Sequence, residues 1–518
     1  MKLGDAGAAT RSVLVDRLTA VLPAYLAGTS VALVAQTVPL VGVALAFVSL
    51  LGTGRIDRFV STVRSVDVSP TGATSDAAAS RLADATMALL TPTTVALLVA
   101  SAVGGLVAFL VARAVVGAAQ VHTVVAALRG ERPVVAGVRG ASADAVSFLA
   151  LGVLRGLALL APTVALALVG LAVADSALLP LLALGVLLWL PVTVAIYVVF
   201  AFAPQAIVVD DVGVLGGIEH GAGFVRRNPG RVGAYFVVVF LLVATVGGAA
   251  FAFQVLGVGP LAQVVGAFAL APTLGVLKTA LYLDTADVSV AGASDATGVG
   301  VDDATAGERG WGDEPTTGGE PGVVESVVAA FQRGWNELLA FVRDQAVLVV
   351  ATLGLFAAGI AGGLAVARPY AMPFPESPTT NVFGAFPLDT FVSLTANNWL
   401  VAIATAFAGL GFGVPSAVNM LFNGALVGAV VGLGENPVDV AALVVPHGIL
   451  EVPALAVSGA LGLHLGVSTW SYVRGRASAD DLASELVRAF YVLLGLLPVF
   501  IVAAFIEAFV TWWVASLV

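Results

Sequence analysis

The sequence predicts an all-α polytopic integral membrane protein of about eleven transmembrane helices in two bundles, with amphipathic helices at the cytoplasmic face. Three observations predict it. Of 518 residues, 59% are hydrophobic and only 11% charged, where soluble domains run at roughly 45–50% and about 25%. Several apolar runs reach the roughly 20 residues that cross a hydrocarbon core at about 1.5 Å per residue. These runs lack the alternation of a barrel strand, so their backbone groups must be satisfied within helices.

Up to Leu283 there are six apolar runs, near 21–51, 87–117, 147–174, 178–203, 232–254 and 259–283. Residues 1–16 carry Lys2, Asp5 and Arg11 ahead of a run far longer than a signal-peptide core, so the first run is expected to be a retained span. Arg129, Arg132 and Arg139 follow the second run, and Arg226, Arg227 and Arg231 follow the fourth. Basic loops stay cytoplasmic, which places the N-terminus inside. The connections 175–180 and 254–260 lack arginine, as the opposite side should. The connection 52–84 mixes Arg55, Arg58, Arg64 and Arg81 with Asp57, Asp67, Asp76 and Asp84, and the count of spans puts it outside.

From 284 the composition turns to Gly, Thr, Asp and Glu, with Arg309 the only basic residue up to 322. Such a segment buries too little apolar surface to fold. The expected organisation is a six-span domain over 1–283, an acidic cytoplasmic linker over 284–324 and a five-span domain over 325–518. The second domain opens with an amphipathic helix over 325–345, where Val328, Phe331, Trp335, Leu338, Leu339 and Phe341 line one side. Five runs follow, near 346–366, 393–411, 416–434, 438–467 and 489–517. Arg474, Arg476 and Arg488 hold the last connection inside and leave the C-terminus external. The proline-rich connection 368–390 faces outside, as a binding loop or a stiff spacer.

The chemistry-bearing residues lie in this second domain. His447 and Glu451 stand four apart in the run 438–467, one helical turn from each other on one face. Ionisable groups at membrane depth are costly and are usually buried against partners. Asn436 is a credible N-cap and Pro437 a first-turn proline, but Pro446 and Gly448 interrupt the helix only about 9 residues on. The run is therefore either a re-entrant half-helix followed by a full one, or one long helix kinked at Pro446. Asn419 and Asn423 stand four apart in the preceding run, beside Gly424, Gly428 and Gly432 at helix-packing spacing. Asn397 and Asn398 open an earlier span, and Glu507 lies inside the last one. These seven residues are expected to form one intramembrane polar cluster.

Three uses are open for His447 and Glu451: an interhelical hydrogen-bond pair that fixes packing, a proton or substrate pathway, or a metal site. The last needs a third ligand, which Glu507 or an asparagine would have to supply. Glu507 is equally readable as an interfacial carboxylate ahead of Trp512 and Trp513. His464 is expected at the interface, and His122 and His220 in solvated cytoplasmic loops. No phosphate loop, dinucleotide fingerprint, zincin motif or nucleophile elbow stands in a suitable context. No catalytic residue, cofactor site or complete metal site is assigned, and the scattered arginines form no nucleic-acid patch. The chain has no cysteine, which excludes disulfides, thiolate catalysis and iron–sulfur ligation. Lysine occurs only at Lys2 and Lys278 and the formal charge is -10, a composition that points to a salt-adapted prokaryote such as a halophilic archaeon.

Asn397-Asn398, the Gly409 to Gly413 stretch, Asn419, Asn423-Gly424, Pro446-His447-Gly448 with Glu451, and Glu507 together resemble the stage II sporulation protein M family. The resemblance covers about 325–518 and implies a multi-span membrane scaffold; in spore formers the namesake recruits cell-wall hydrolases during engulfment. The N-terminal half is similar to the non-catalytic membrane domain attached to some glycerophosphodiester phosphodiesterases and its archaeal relatives. That similarity rests on Phe202-Ala203-Pro204-Gln205, the stretch 206–224 and Arg226-Arg227-Asn228, and it brings no phosphodiesterase barrel. The expected function is a non-enzymatic scaffold of the plasma membrane that organises partner proteins, or copies of itself, or shapes the envelope. The alternative is a transporter or channel with its site at the broken helix around His447 and Glu451.

Overall fold

The computed structural model describes residues 3–65, 76–173, 180–283, 323–371 and 386–515. Its elements are helices. The N-terminal half comprises α1 (Leu3–Asp16), α2 (Leu18–Ala27), α3 (Ser30–Gly52), α4 (Arg55–Ser65), α5 (Asp76–Met87), α6 (Pro92–Arg129) and α7 (Pro133–Val173), then α8 (Pro180–Phe200), α9 (Ala203–Val209), α10 (Val214–Arg227), α11 (Pro229–Val255), α12 (Pro260–Val265) and α13 (Ala271–Tyr282). The C-terminal half comprises α14 (Val323–Asp344), α15 (Ala346–Ala367), α16 (Leu388–Ala408), α17 (Val414–Leu433), α18 (Pro437–Val473), α19 (Ala479–Phe505) and α20 (Thr511–Ala515). Among the described residues, 11 helical segments are long and apolar enough to cross a membrane, six before the acidic segment and five after it. Large apolar side chains such as Phe240, Phe251 and Val347 stand exposed along them. Lipid rather than water meets such surfaces in an integral membrane protein.

Local chemistry sets the helix limits. Thr91 accepts from the Thr94 amide at 3.0 Å and Pro92 occupies the first turn of α6, while Gly130, with φ 78°, ends it. Ser478 and Asp481 form a reciprocal capping box at the start of α19. With 38 and 41 residues, α6 and α7 run about 57 and 62 Å, well beyond a hydrocarbon core of about 30 Å, so their arginine-bearing ends project from it.

The expected amphipathic helix is present as α14, laid on α19 where Gly334 meets Gly495 backbone to backbone. Arg488 reaches Glu337 at 3.5 Å and Asp344 at 3.1 Å from the facing helix. The Arg343 guanidinium, and then Arg488, hold the Asp344 carboxyl below its ordinary range. The connection expected over 52–84 instead contains α4 and α5, with 66–75 outside the described residues. The acidic linker and most of the proline-rich connection, 372–385, also lie outside them.

The two halves share one hydrophobic core. Leu22, Leu26 and Val31 pack in the same cluster as Ile403, Phe407, Leu461 and Phe490. At the arginine-rich end, Arg132 and Arg139 both pair with Asp480 across the halves, the second at 3.1 Å. At the other end, the Tyr370 hydroxyl donates to Asp57 at 2.7 Å. Within the C-terminal half α15 packs closely along α17: a methyl group on Gly359, Gly363, Gly424 or Gly428 would overlap a carbonyl oxygen of the facing helix. Helices in lipid approach this closely only where side chains vanish, because packing rather than water exclusion drives their association.

Candidate functional site

The seven predicted polar residues divide into two groups. The first centres on a buried node between α16 and α17; of its asparagines Asn398 and Asn419 are buried, Asn423 is half-buried and Asn397 is exposed. Asn419 donates from Nδ2 to Thr405 Oγ1 at 2.8 Å, Ser416 donates to the Thr405 carbonyl at 2.6 Å, and Thr405 donates to the Val401 carbonyl at 2.7 Å. Thr405 and Ser416 are buried to about 1% exposure or less, and Asn419 to 8%. Asn423 turns back to the Asn419 carbonyl at 2.8 Å, and Asn397 donates to Asn398 Oδ1 at 3.3 Å. Thr352 of α15 closes the same interior by donating to the Ala456 carbonyl of α18 at 2.8 Å. Thr352, Thr405, Ser416 and Asn419 each find a partner inside the bundle, as a medium without water requires.

The second group is His447, Glu451 and Glu507. The long-helix alternative for this run is the one realised: α18 is continuous over 37 residues with Pro446 and Pro453 inside it. His447 and Glu451 therefore project from successive turns of one face. Glu507 comes from a π-turn, Ile506–Val510, inserted between α19 and α20. Such turns add one residue to a helical turn and recur at functional sites. One ligand atom from each of the three residues lies within 4.8 Å of the others, and all three side chains are half-buried. Thr511, one turn past Glu507, places Oγ1 3.5 Å from His447 Nδ1 and donates to the Ile506 carbonyl at 3.1 Å.

The single expected cluster thus becomes a sealed node around Asn419, Thr405 and Ser416, an Asn397–Asn398 pair earlier in α16, and a half-buried histidine–carboxylate trio. Within the trio, Glu507 is a cluster member rather than a bare interfacial carboxylate. One nitrogen and two carboxylate oxygens are the donors available there to a metal ion. Sequence reasoning missed Thr405, the hub of the sealed node, and Thr511. The spacing of Glu507 and Thr511, four residues on one face, was a usable signal for the second. The other histidines are paired. His464 Nε2 lies 2.9 Å from Glu485 near the basic end. His122 and His220 sit in helices α6 and α10 rather than loops, each 2.8 Å from an aspartate, Asp144 and Asp210.

A family model described as Stage II sporulation protein M matches residues 351–512. The matched stretch contains every residue of both groups and stops short of α14 on its N-terminal side. An uncharacterized protein of Methanocaldococcus jannaschii is 30% identical over 126 residues, which cover 23% of this chain and 70% of that protein. No solved structure matches.

Proposed function

Because the chain belongs, over residues 351–512, to the stage II sporulation protein M family, we propose that it is a non-enzymatic membrane scaffold that organises partner proteins or shapes the cell envelope. The observation that carries this reading is the sealed node: Thr352, Thr405, Ser416 and Asn419 spend their hydrogen bonds on one another and on backbone, with 8% exposure or less. A path for a polar solute needs polar groups turned toward water; here they are turned toward each other. The shared core of the two halves adds a broad, rigid body of the kind on which partners assemble.

The transport reading retains one supporting observation, the half-buried trio beside Pro446. Glu451→Gln separates the two. As a scaffold, the full chain in proteoliposomes passes no ions or small solutes, and the variant unfolds at a lower temperature or assembles less completely. A variant of unchanged thermal midpoint that has lost a measurable flux would sink the scaffold reading in favour of transport.

Orientation is proposed with the arginine-bearing ends of α6, α7, α10 and α19 in the cytoplasm, by the excess of arginine there. A chain without cysteine makes this directly checkable. In intact cells, Ser61→Cys is expected to react with an impermeant maleimide and Ser294→Cys to react only after lysis. The opposite pattern inverts the topology.

A further inference from the structure

We propose that His447, Glu451 and Glu507 hold one divalent transition-metal ion, Zn2+ fitting the donors best, which clamps α18 to the π-turn after α19. Three independent features point to it. First, the donors converge: one atom from each residue lies within 4.8 Å of the others, although Glu507 stands 56 residues from Glu451. Ligands at about 2.0–2.2 Å from a tetrahedral Zn2+ are roughly 3.3–3.6 Å apart. Small side-chain rotations close that gap, and the ion itself would draw the carboxylates in.

Second, the charges are unbalanced. Among the described residues, no arginine or lysine forms a salt bridge with Glu451 or Glu507. Two carboxylates facing one another in a half-buried site need either a shared proton or a cation between them. The imidazole beside them chooses the cation class. Mg2+ and Ca2+ take oxygen shells of six or more, whereas one nitrogen with two carboxylate oxygens suits Zn2+ and its neighbours.

Third, the surroundings are those of a metal ligand set. Metal-bound histidines donate their second ring N–H to an outer partner that fixes the ring. Thr511 Oγ1 lies 3.5 Å from His447 Nδ1, and its own proton is directed to the Ile506 carbonyl at 3.1 Å, so a lone pair is left for Nδ1–H. In that tautomer Nε2 would face the metal.

The test uses the full chain, purified in detergent with its affinity tag removed. Metal analysis is expected to find about one Zn2+ per chain, falling to near zero in Glu451→Gln/Glu507→Gln. Thr511→Val is expected to retain the site but bind about 10–100-fold more weakly. Loss of fold in the double variant is handled on the wild-type chain itself. EDTA should lower its thermal unfolding midpoint, and Zn2+ should restore it where Mg2+ and Ca2+ do not. A folded wild-type chain that holds no metal and melts at one temperature in EDTA and in Zn2+ overturns the assignment, as does a response to Mg2+ or Ca2+ alone.

Discussion

Replacing Gly363 by alanine is expected to cost about 3 kcal/mol, while the same change at the adjacent Gly362 is neutral or stabilising by up to about 1 kcal/mol. The contrast comes from which way each residue faces. A methyl group on Gly363 would overlap the Ala425 carbonyl oxygen of α17, whereas one on Gly362 meets nothing within 4 Å. The α15–α17 contact is made of four such glycines facing backbone, so the inserted methyl must push the helices apart rather than rotate a side chain. Both variants gain the same helix propensity, which Gly362 expresses unopposed. Thermal or denaturant unfolding of the two proteins in one detergent measures the difference. Equal midpoints would mean that α15 and α17 do not pack as described.

Trp399→Ala is expected to cost about 3–5 kcal/mol and to loosen the two halves from one another. Trp399 of α16 is 7% exposed. Its Nε1–H donates to the Leu493 carbonyl of α19 at 2.8 Å. Its ring stacks on Phe268, at 5.0 Å between centroids and 20° between planes, and Phe268 belongs to a π-turn of the N-terminal half, Gly266–Leu270. One side chain therefore ties three segments, and truncation removes ring contacts on both sides at once. Trp399→Phe keeps the stack and loses only the hydrogen bond, for about 1 kcal/mol. A ranking of Ala well below Phe, read from unfolding midpoints, supports this account, and equal losses in the two variants would assign the whole effect to the hydrogen bond.

The span count and the amphipathic helix α14 were legible because each depends on a local pattern: a run of apolar residues long enough for lipid, or a stripe along one side of a helix. Asn436 was legible as the cap of α18 for the same reason, and its side chain accepts from the Val438 amide at 3.1 Å. The division of the polar residues into separate groups was not. Asn419 and His447 are alike as isolated polar residues in apolar runs, and nothing local tells which neighbour each will meet. Thr405 had no signal at all, since a threonine in a helix usually bonds its own preceding turn, as Thr405 does to Val401. Its second role exists only because α17 crosses α16 at Asn419 and Ser416.

The continuity of α18 through Pro446 was equally beyond sequence. Proline removes one amide and crowds one turn, a penalty that neighbouring helices can absorb or exploit, so the choice between a broken and an unbroken helix is made by packing.

By itself, then, the sequence determined that this chain lives in a bilayer with eleven spans, that Asn436 caps one of them, and that His447 and Glu451 share a face, because those properties are set within a few turns of one helix. Only the tertiary structure decided that Asn419 is sealed against Thr405, that Glu507 joins His447 and Glu451, and that the two halves share a core. Those outcomes depend on how separate helices cross, and crossings are fixed by glycine contacts and π-turns summed over the whole bundle.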